Sequence, residues 1–414
     1  MITDDMRKFK NIIKYKVDNF DILFSNGDIE KFDGGMVSHL YIEKDFDELY
    51  FPIINISVSM KDEVYHRIEQ ESDTVKFRLR VIKNIYDQEM KFLKYELYCN
   101  EVFQYFGTKK NVITDNDNLA SKKETEGDEA VTNGTNMRNF YLFTEAVTNC
   151  KKFFNLSIES GTLTDLLVYI LGESGVKKLL MSKLNNNESV ANMIIPSGNT
   201  IDTIKYLDNM KSLYEKGMLL FFDVDTTFLI DKNYKCTAWR KNEIRITHIH
   251  ITNNQSGDSQ MNGYFIDKDR KQTHVFANTD RIQVLNNNIT DNQMSGHNIK
   301  IIDPKANTKT NVSATTTTTG GKNEKLLTIK SGNKYAATEL ETRLIENECI
   351  CAVVLVGVDI EVVSPNKEIM LTYEDVELNK RYGGNYRVAK VTAALSKDAE
   401  ELAGELNVVL KKQK

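Results

Sequence analysis

A strictly alternating stretch, "TVKFRLRVI", is the feature of this chain that most limits what it can fold into. Apolar residues occupy every second position, at Val75, Phe77, Leu79 and Val81. The positions between them are basic: Lys76, Arg78 and Arg80. Because successive side chains of a strand point to opposite faces, this pattern predicts a strand with one buried and one basic face. We expect the basic face to meet an acidic neighbour, with ordinary solvated strand surface as the alternative.

The period changes to that of a helix at two places. Apolar residues spaced i, i+3, i+4, i+7 and i+8 predict a helix over 163–171. A second helix is predicted over 199–216, with Asn199 or Thr200 as its N-cap and Gly217 just after its last turn. A strand, "MLLFFDV", follows it almost without a loop. The fold class is therefore predicted to be α+β and strand-rich.

Length and composition limit the classes of protein to consider. At roughly 100–200 residues per domain, 414 residues predict two to four domains. A net charge of −5 argues against nucleic-acid binding by the chain as a whole. There is no window of about 18 apolar residues and no apolar leader at the start, so we expect residence in a cytoplasm and no membrane partner.

The cysteines give no sign of a disulfide framework or a zinc ribbon. Their number is odd and they form no CxxC pair, so we expect free, buried thiols. They are Cys99, Cys150, Cys236, Cys349 and Cys351.

Two segments are poor in large hydrophobic residues. Residues 107–139 offer little apolar area to bury, which predicts a long mobile loop. Residues 252–334 are rich in Asn, Thr, Gly, Ser and Lys and include five consecutive threonines, Thr315–Thr319. Since a structureless stretch of this length is unusual, an inserted, loop-rich β subdomain is predicted there.

The stretch "GMLLFFDVDTTFLID" resembles the nucleophile motif of the haloacid-dehalogenase phosphatases. In that family the first aspartate is a nucleophile, the second a general acid and base, and Mg²⁺ is bound nearby. Here the pair, Asp223 and Asp225, lies in mid-chain and leads into a second strand rather than a helix. We therefore predict a hairpin in which Asp225 and Thr226 form the turn. A Mg²⁺-dependent phosphatase using Asp223 and Asp225 is kept as the alternative function.

His248 and His250 in "ITHIHIT" lie on one face of a predicted strand. Neutral imidazoles at this spacing are of the type that binds a metal. No third ligand stands at a recognisable spacing, so we expect partly buried structural histidines. The sequence thus predicts no catalytic, cofactor-binding or metal-binding residues, and no cofactor.

Two longer stretches carry a family resemblance. The first, "MIIPSGNTIDTIKYLDNMKSLYEKGMLLFFDVDTTFLID", combines a Pro-containing entry, a helix with a "YLD" step, a glycine and an acidic strand end. The second runs from "VDIEVVSPNKEIMLTYED" to "YGGNYRVAKVTAAL", with a "SPNK" turn and a "YRV" strand. Both resemble the baseplate hub proteins of contractile-tailed bacteriophages, which are similar to the N-terminal hub part of type VI secretion spike proteins.

The resemblance implies two tail-tube-type β-barrel domains in one chain, with an inserted α+β domain. The first barrel domain would be 1–108, and the second 217–240 with 335–414. The inserted domain would comprise 109–216 and 241–334. Three chains would form a homotrimeric, pseudo-six-fold ring that adapts a six-fold tail tube to a three-fold central spike.

On this resemblance the protein is structural and not an enzyme, and it belongs to the tail baseplate of a virion assembled in the host cytoplasm. Its implied partners are its own copies, a central spike protein, a tail tube or tube-initiator protein, and wedge or sheath components. DNA would pass through the ring's lumen without specific binding. The chain lacks the long β-helix and the oligosaccharide-binding barrel of fused secretion spikes, so a separate spike is implied.

Overall fold

The computed structural model describes most of the chain in eight ranges. They are residues 11–105, 135–233, 245–252, 263–287, 297–301, 313–319, 322–328 and 335–413.

Strands dominate these ranges. In chain order they are β1 (Ile12–Leu23), β2 (Ile29–Asp33), β3 (Val37–Asp45), β4 (Ile53–Lys61), β5 (Lys76–Tyr86), β6 (Phe92–Tyr105), β7 (Thr135–Thr144), β8 (Phe153–Thr162), β9 (Leu179–Met181), β10 (Ser189–Asn199), β11 (Met218–Phe222), β12 (Thr227–Asp231), β13 (Ile246–Thr252), β14 (Tyr264–Asp267), β15 (Gln272–Asn278), β16 (Ile282–Asn287), β17 (His297–Ile301), β18 (Ser313–Thr319), β19 (Lys322–Thr328), β20 (Cys349–Val356), β21 (Glu368–Tyr373), β22 (Gly384–Asp398) and β23 (Glu401–Lys412).

The helices are fewer and short. They are α1 (Asp62–Gln70), α2 (Ala146–Asn149), α3 (Leu163–Glu173), α4 (Thr200–Lys211), α5 (Ala336–Glu348) and α6 (Val376–Tyr382). Within the described residues, none of them has the length and apolar character needed to cross a bilayer. The strand-rich α+β class predicted from the sequence is confirmed.

Eight strands close into an antiparallel barrel. Their order is β22, β3, β4, β7, β6, β5, β1 and β23, and the β22–β23 pair closes the circuit. A barrel of this strand number has an interior that side chains fill. Here Phe20, Phe77 and Phe140 are completely buried and touch ring to ring, with centroids 5.6 Å apart for Phe20 and Phe77 and 5.3 Å apart for Phe77 and Phe140. The barrel therefore has a packed core.

A second run of strands shares two strands with this barrel. Its order is β14, β15, β13, β21, β22, β23, β20 and β16. Different parts of β22 pair with β3 and with β21, and β23 likewise pairs with β1 and with β20. The β22–β23 pair is therefore common to both sets of strands.

A small sheet of β9, β11 and β12 separates two cores. Its residues Leu219, Phe221, Phe228 and Ile230 belong to the main core of the strands above. Residues Leu220, Phe222 and Leu229 belong to a second core with α3 and α4. Because strand side chains alternate, one hairpin forms the wall between the barrel and a helical unit.

The predicted mobile loop over 107–139 is wrong at its C-terminal end. Residues 135–139 begin β7, which pairs with β4 and β6 inside the barrel. The reason is burial, because Phe140 and Leu142 on this strand are fully enclosed. The rest of that segment, 107–134, lies outside the described residues.

Helix α4 begins as predicted but ends earlier. The side chain of Asn199 caps its start by accepting a hydrogen bond from the Asp202 N–H. It ends at Lys211 rather than near 216, because Ser212 adopts a left-handed conformation with φ of 56°. That turn directs Tyr214 into the second core, where its hydroxyl donates to the Leu229 carbonyl at 2.8 Å.

The Asn- and Thr-rich segment contributes strands to two places. Strands β14, β15 and β16 join the main sheet, whereas β17, β18 and β19 form a separate three-stranded sheet. The five consecutive threonines lie within β18, which pairs antiparallel with β19.

A buried ionic network joins the elements around the start of β22. The Arg387 guanidinium donates to both Glu346 carboxylate oxygens, at 2.5 and 2.6 Å, and lies 3.0 Å from Asp47. Lys411 donates to Asp47 at 2.8 Å. Burial alone would raise the pKa of Asp47, but Arg387 and Lys232 outweigh it and hold that pKa well below its usual value.

Replacing Gly404 tests the role of the shared strand pair. A Cβ at this position would lie 1.9 Å from the Ala394 carbonyl oxygen on β22. We expect Gly404→Ala to lower the free energy of unfolding by about 3 kcal/mol in urea denaturation, because the strands must move apart. Gly161→Ala in β8 is the matched control, since a Cβ there meets nothing within 4 Å. Equal stabilities for the two variants would contradict this account of β22 and β23.

Candidate functional site

The two aspartates singled out in the sequence lie at the tip of the β11–β12 hairpin. The Asp223 N–H donates to the Thr226 carbonyl at 2.9 Å and closes the turn. The Asp223 carboxylate accepts from the Val224 N–H at 2.8 Å, and the Asp225 carboxylate accepts from the Thr226 hydroxyl at 2.8 Å. The predicted hairpin is confirmed, with short polar side chains satisfying the turn's own donors.

Each aspartate also holds a lysine, in very different surroundings. Asp223 accepts from Lys44 at 2.7 Å, and these side chains are only 13% and 8% exposed. Asp225 accepts from Lys178 at 2.9 Å, with both side chains at least half exposed. Burial would raise the pKa of Asp225, but the hydrogen bonds from Lys178 and Thr226 outweigh it and lower that pKa. The buried pair is therefore the structural one.

A cavity of about 480 Å³ lies beside this turn. Its wall includes Tyr98, whose buried hydroxyl has no hydrogen-bond partner among the described residues. Three lysines and three acidic residues line it: Lys44, Lys178, Lys367, Asp223, Asp225 and Glu361. The charges of this lining balance, whereas a phosphate ester requires an excess of positive charge.

This geometry gives the phosphatase hypothesis no support. The strand carrying the motif, β11, is antiparallel to β12 and belongs to a three-stranded sheet, not to a parallel α/β sheet. Both carboxylates already bind lysines. In the parts of the chain that the structure describes, no group of three or more His, Cys, Asp or Glu residues is arranged to hold a metal ion.

A second polar cluster lies on the other set of strands. His248 and His250 on β13 share a face with His274 on the parallel neighbour β15, where His274 is paired with His248 in the strand register. The three rings are nearly parallel, with centroids 4.8 to 5.9 Å apart. His250 Nε2 lies 2.9 Å from His274 Nδ1. His274 is not among the histidines singled out in the sequence, although "THV" repeats the threonine–histidine alternation of "THIHI".

The imidazoles of this cluster are poor bases. Burial lowers the pKa of His250 to about 3, aided by repulsion from His274 and His248. Burial and repulsion from His248 lower the pKa of His274 to about 4, against a smaller opposing effect of Asp267, and Arg270 lowers it further. Burial also lowers the pKa of His248. All three rings are therefore neutral at pH 7.

The basic strand face and the cysteines have simpler surroundings. The three basic residues of the alternating stretch each have an acidic neighbour in the same chain, at 2.9 to 3.6 Å: Lys76 with Glu145, Arg78 with Asp21, and Arg80 with Asp18. Four cysteines are free and buried: Cys99, Cys150, Cys349 and Cys351. Cys236 lies outside the described residues.

The fold is a closed antiparallel barrel with further strands built on its β22–β23 pair and a helical unit set against it. This arrangement defines a strand-rich α+β barrel protein. Its family is a bacteriophage one: the chain belongs to the family described as Bacteriophage PBS1 gene 109 protein, whose model matches residues 10–413. Among curated proteins, none matches this chain.

Solved structures similar to this chain come from phage tails and secretion systems. A tail protein from Neisseria meningitidis MC58 aligns over 98% of this chain and 97% of its own, with 10% identity and a TM-score of 0.48. A 43 kDa tail protein of prophage MuSo2 from Shewanella oneidensis aligns over 98% and 97%, with 8% identity and a TM-score of 0.44. A type VI secretion component from E. coli aligns over 91% and 74%, with 10% identity and a TM-score of 0.43.

The two aspartates of the turn offer a matched pair of substitutions. Asp223→Ala leaves the Lys44 ammonium buried without its partner, so we expect it to lower the free energy of unfolding by about 3 kcal/mol. Asp225→Ala removes an exposed pair and is expected to cost less than about 1 kcal/mol. Urea denaturation of both variants measures the difference. Similar losses for the two would show that Asp223 is not the anchor of this hairpin.

The histidine cluster predicts a loss of stability in mild acid. Because the pKa values of His250 and His274 are lower in the folded chain than the usual 6.5, the unfolded chain binds protons first as the pH falls. Each should remove on the order of 1–2 kcal/mol of the free energy of unfolding between pH 6.5 and pH 5. This pH window lies above the one in which protonation of Asp47 removes stability, because the pKa of Asp47 is lowered from 3.8.

The measurement is urea denaturation at half-unit steps across that window. The double variant His250→Gln/His274→Gln should lose less stability than the unchanged protein as the pH falls. His66→Gln on α1, in an exposed position, is the control and should follow the unchanged protein. Parallel pH profiles for the double variant and the control would refute the assignment.

Proposed function

We propose that this protein is the baseplate hub of a contractile phage tail, a homotrimer that joins a six-fold tail tube to a three-fold central spike. The observation that carries the proposal is the pair of eight-strand sets built on β22 and β23 within one chain. A chain with two such units places six of them around an axis when three copies assemble. Membership of a bacteriophage protein family and the sequence resemblance to hub proteins support the same function.

The domain assignment is part of this proposal. The first tube-type domain is 1–108 and the second is 217–240 with 335–414, while 109–216 and 241–334 form the inserted domain. Strand β7 comes from the inserted domain, yet it pairs with β4 and β6 of the first. We therefore define these domains as segments of the chain, and a strand of one segment can pair with strands of another.

The function we propose is structural and not enzymatic. The proposed function depends on shape and self-association. The carboxylates of the turn at Asp223 are already paired with lysines of the same chain, which leaves them no role in our proposal beyond stabilising the turn. A net charge of −5 disfavours adhesion of a phosphate backbone, which suits a ring through which DNA passes without specific binding.

The proposed partners are further copies of this chain, a separate spike protein, a tail tube or tube-initiator protein, and wedge or sheath components. The proposed location is the tail baseplate of the virion, after assembly in the host cytoplasm. Phage tail and secretion proteins among the similar structures are compatible with such partners.

Light scattering after size exclusion, with negative-stain class averages from the same peak, tests the trimer. We expect a mass of three chains and rings with a central hole, unchanged for Asp223→Asn, because the amide keeps the size of the side chain and its oxygen can still accept the hydrogen bond from Lys44. A two-fold dimer, or a monomer that persists at high protein concentration, would contradict the trimer. Phosphate release with Mg²⁺ that Asp223→Asn abolishes would contradict the structural role.

A further inference from the structure

Strand β6 leaves most of one edge open. It pairs with β5 from Phe92 to Gln104, but it pairs with β7 only at Phe103, Gln104 and Tyr105. Between Phe92 and Val102, the structure describes no strand paired with the second edge of β6. Backbone N–H and C=O groups at such an edge can pair with a strand of another chain.

The start of this open edge is also apolar. Four large side chains there are at least half exposed: Phe92, Leu93, Tyr95 and Leu97. The last three alternate along the strand and therefore share one face. The two charged residues among them, Lys94 and Glu96, form an ion pair with each other. An exposed apolar strand edge of this kind is typical of an association surface.

A second open edge lies at the other end of the same sheet. Strands β6, β5, β1, β23, β20 and β16 follow one another in that order. Strand β16 pairs with β20 and with no second strand among those described. Its six residues, as many as in the apolar start of β6, include no charged one, and its Leu285 is 53% exposed.

We propose that the open edge of β6 pairs antiparallel with β16 of a second copy of this chain. This inference rests on the proposed trimer and names the surface through which its copies meet. The contact is heterologous, since each copy offers β6 to one neighbour and β16 to the other. Contacts of this type close into a ring when the rotation between copies closes.

The directions of the strands fit such a ring. Every neighbouring pair from β6 to β16 is antiparallel, so this run of six strands begins and ends with strands of opposite direction. Rotation about an axis keeps the direction of each strand along that axis. Strand β16 of one copy therefore runs opposite to β6 of the next, which continues the antiparallel order of the sheet.

The same kind of contact already exists inside the chain. Strands β1 and β23 join the two halves of this run, and their pairing is confined to Tyr15 with Leu402. In a ring, this contact would alternate with the one between β16 and β6. A two-fold dimer formed through β6 alone would leave β16 open, whereas the ring pairs both edges of every copy.

Cross-linking of the full chain tests the contact. The double variant Tyr95→Cys/Leu285→Cys, with Cys236→Ser, is treated with a short bismaleimide, whose reach tolerates a small shift in register. The described cysteines of the natural sequence are buried. We expect covalent species of two and three chains on a denaturing gel. Neither single variant should give them, nor should Ile194→Cys/Leu285→Cys, whose first site is exposed on β10.

Light scattering of the same samples separates this inference from the proposed function. A mass of three chains without covalent species from the double variant would overturn the contact and leave the trimer standing. Linked dimers from Tyr95→Cys alone would show copies joined through β6 and would overturn the head-to-tail arrangement. A monomer that persists at high protein concentration would overturn both proposals.

A charge placed on the edge gives a second measurement. Leu97→Lys should raise the chain concentration at which half of the protein is trimeric by about tenfold, because the lysine loses water when the strands pair. Ile194→Lys is the matched control and should leave this concentration unchanged. Both leucine and isoleucine are exposed in the single chain, so neither lysine should prevent folding. Equal trimer stability for Leu97→Lys and the unchanged protein would overturn the inference.

Discussion

The antiparallel pairing of β22 with β23 is the interaction on which the rest of this structure depends. The two strands pair from Tyr386 with Lys412 to Asp398 with Glu401, and the outer edge of each is shared between two neighbours. Opposite ends of β22 pair with β3 and β21, and β23 pairs with β1 and β20. Because one pair belongs to both sets of strands, without it the barrel is not closed and the second run of strands is divided in two. Gly404 allows the close approach that this arrangement requires.

Buried charges fix the elements that lie against these strands. Lys83 on β5 binds Asp359 and Glu361 at 2.8 and 2.6 Å, which holds the segment after β20 against the barrel. Burial opposes the charged form of Lys83, yet the two carboxylates raise its pKa above the usual value. Lys44 performs the same task for the β11–β12 hairpin. A buried pair of this kind contributes little net stability but makes alternative placements costly, because any other position leaves a charge unpaired.

Alternation predicted a strand where β5 lies, and helical spacing predicted helix α3. A capping residue predicted the start of α4, and short polar turn residues predicted the hairpin at Asp223. These patterns failed where long-range contacts decide the outcome. Residues 135–139, the first half of β7, were predicted as loop because their strand character comes only from pairing with β4 across the barrel. Lys44 alternates with Ile42 and Phe46, so it lies on the same buried face of the chain as they do. The local sequence does not show why a lysine occupies a buried position, because its partner Asp223 is far away in the chain. His274 joined the other histidines only through the parallel register of β13 and β15.

Strands β22 and β23 lie near the end of the given sequence, so they are synthesised after the strands with which they pair. They are the last of the described strands to leave the ribosome, yet strands as early as β1 and β3 pair with them. At about 5–20 residues per second, a chain of this length is exposed with unpaired strand edges for roughly 20–80 s. Nascent chains therefore need protection from edge-to-edge aggregation. A chain that stops before these strands has no closed barrel, so the core inside the barrel cannot be enclosed until the last strand has been made.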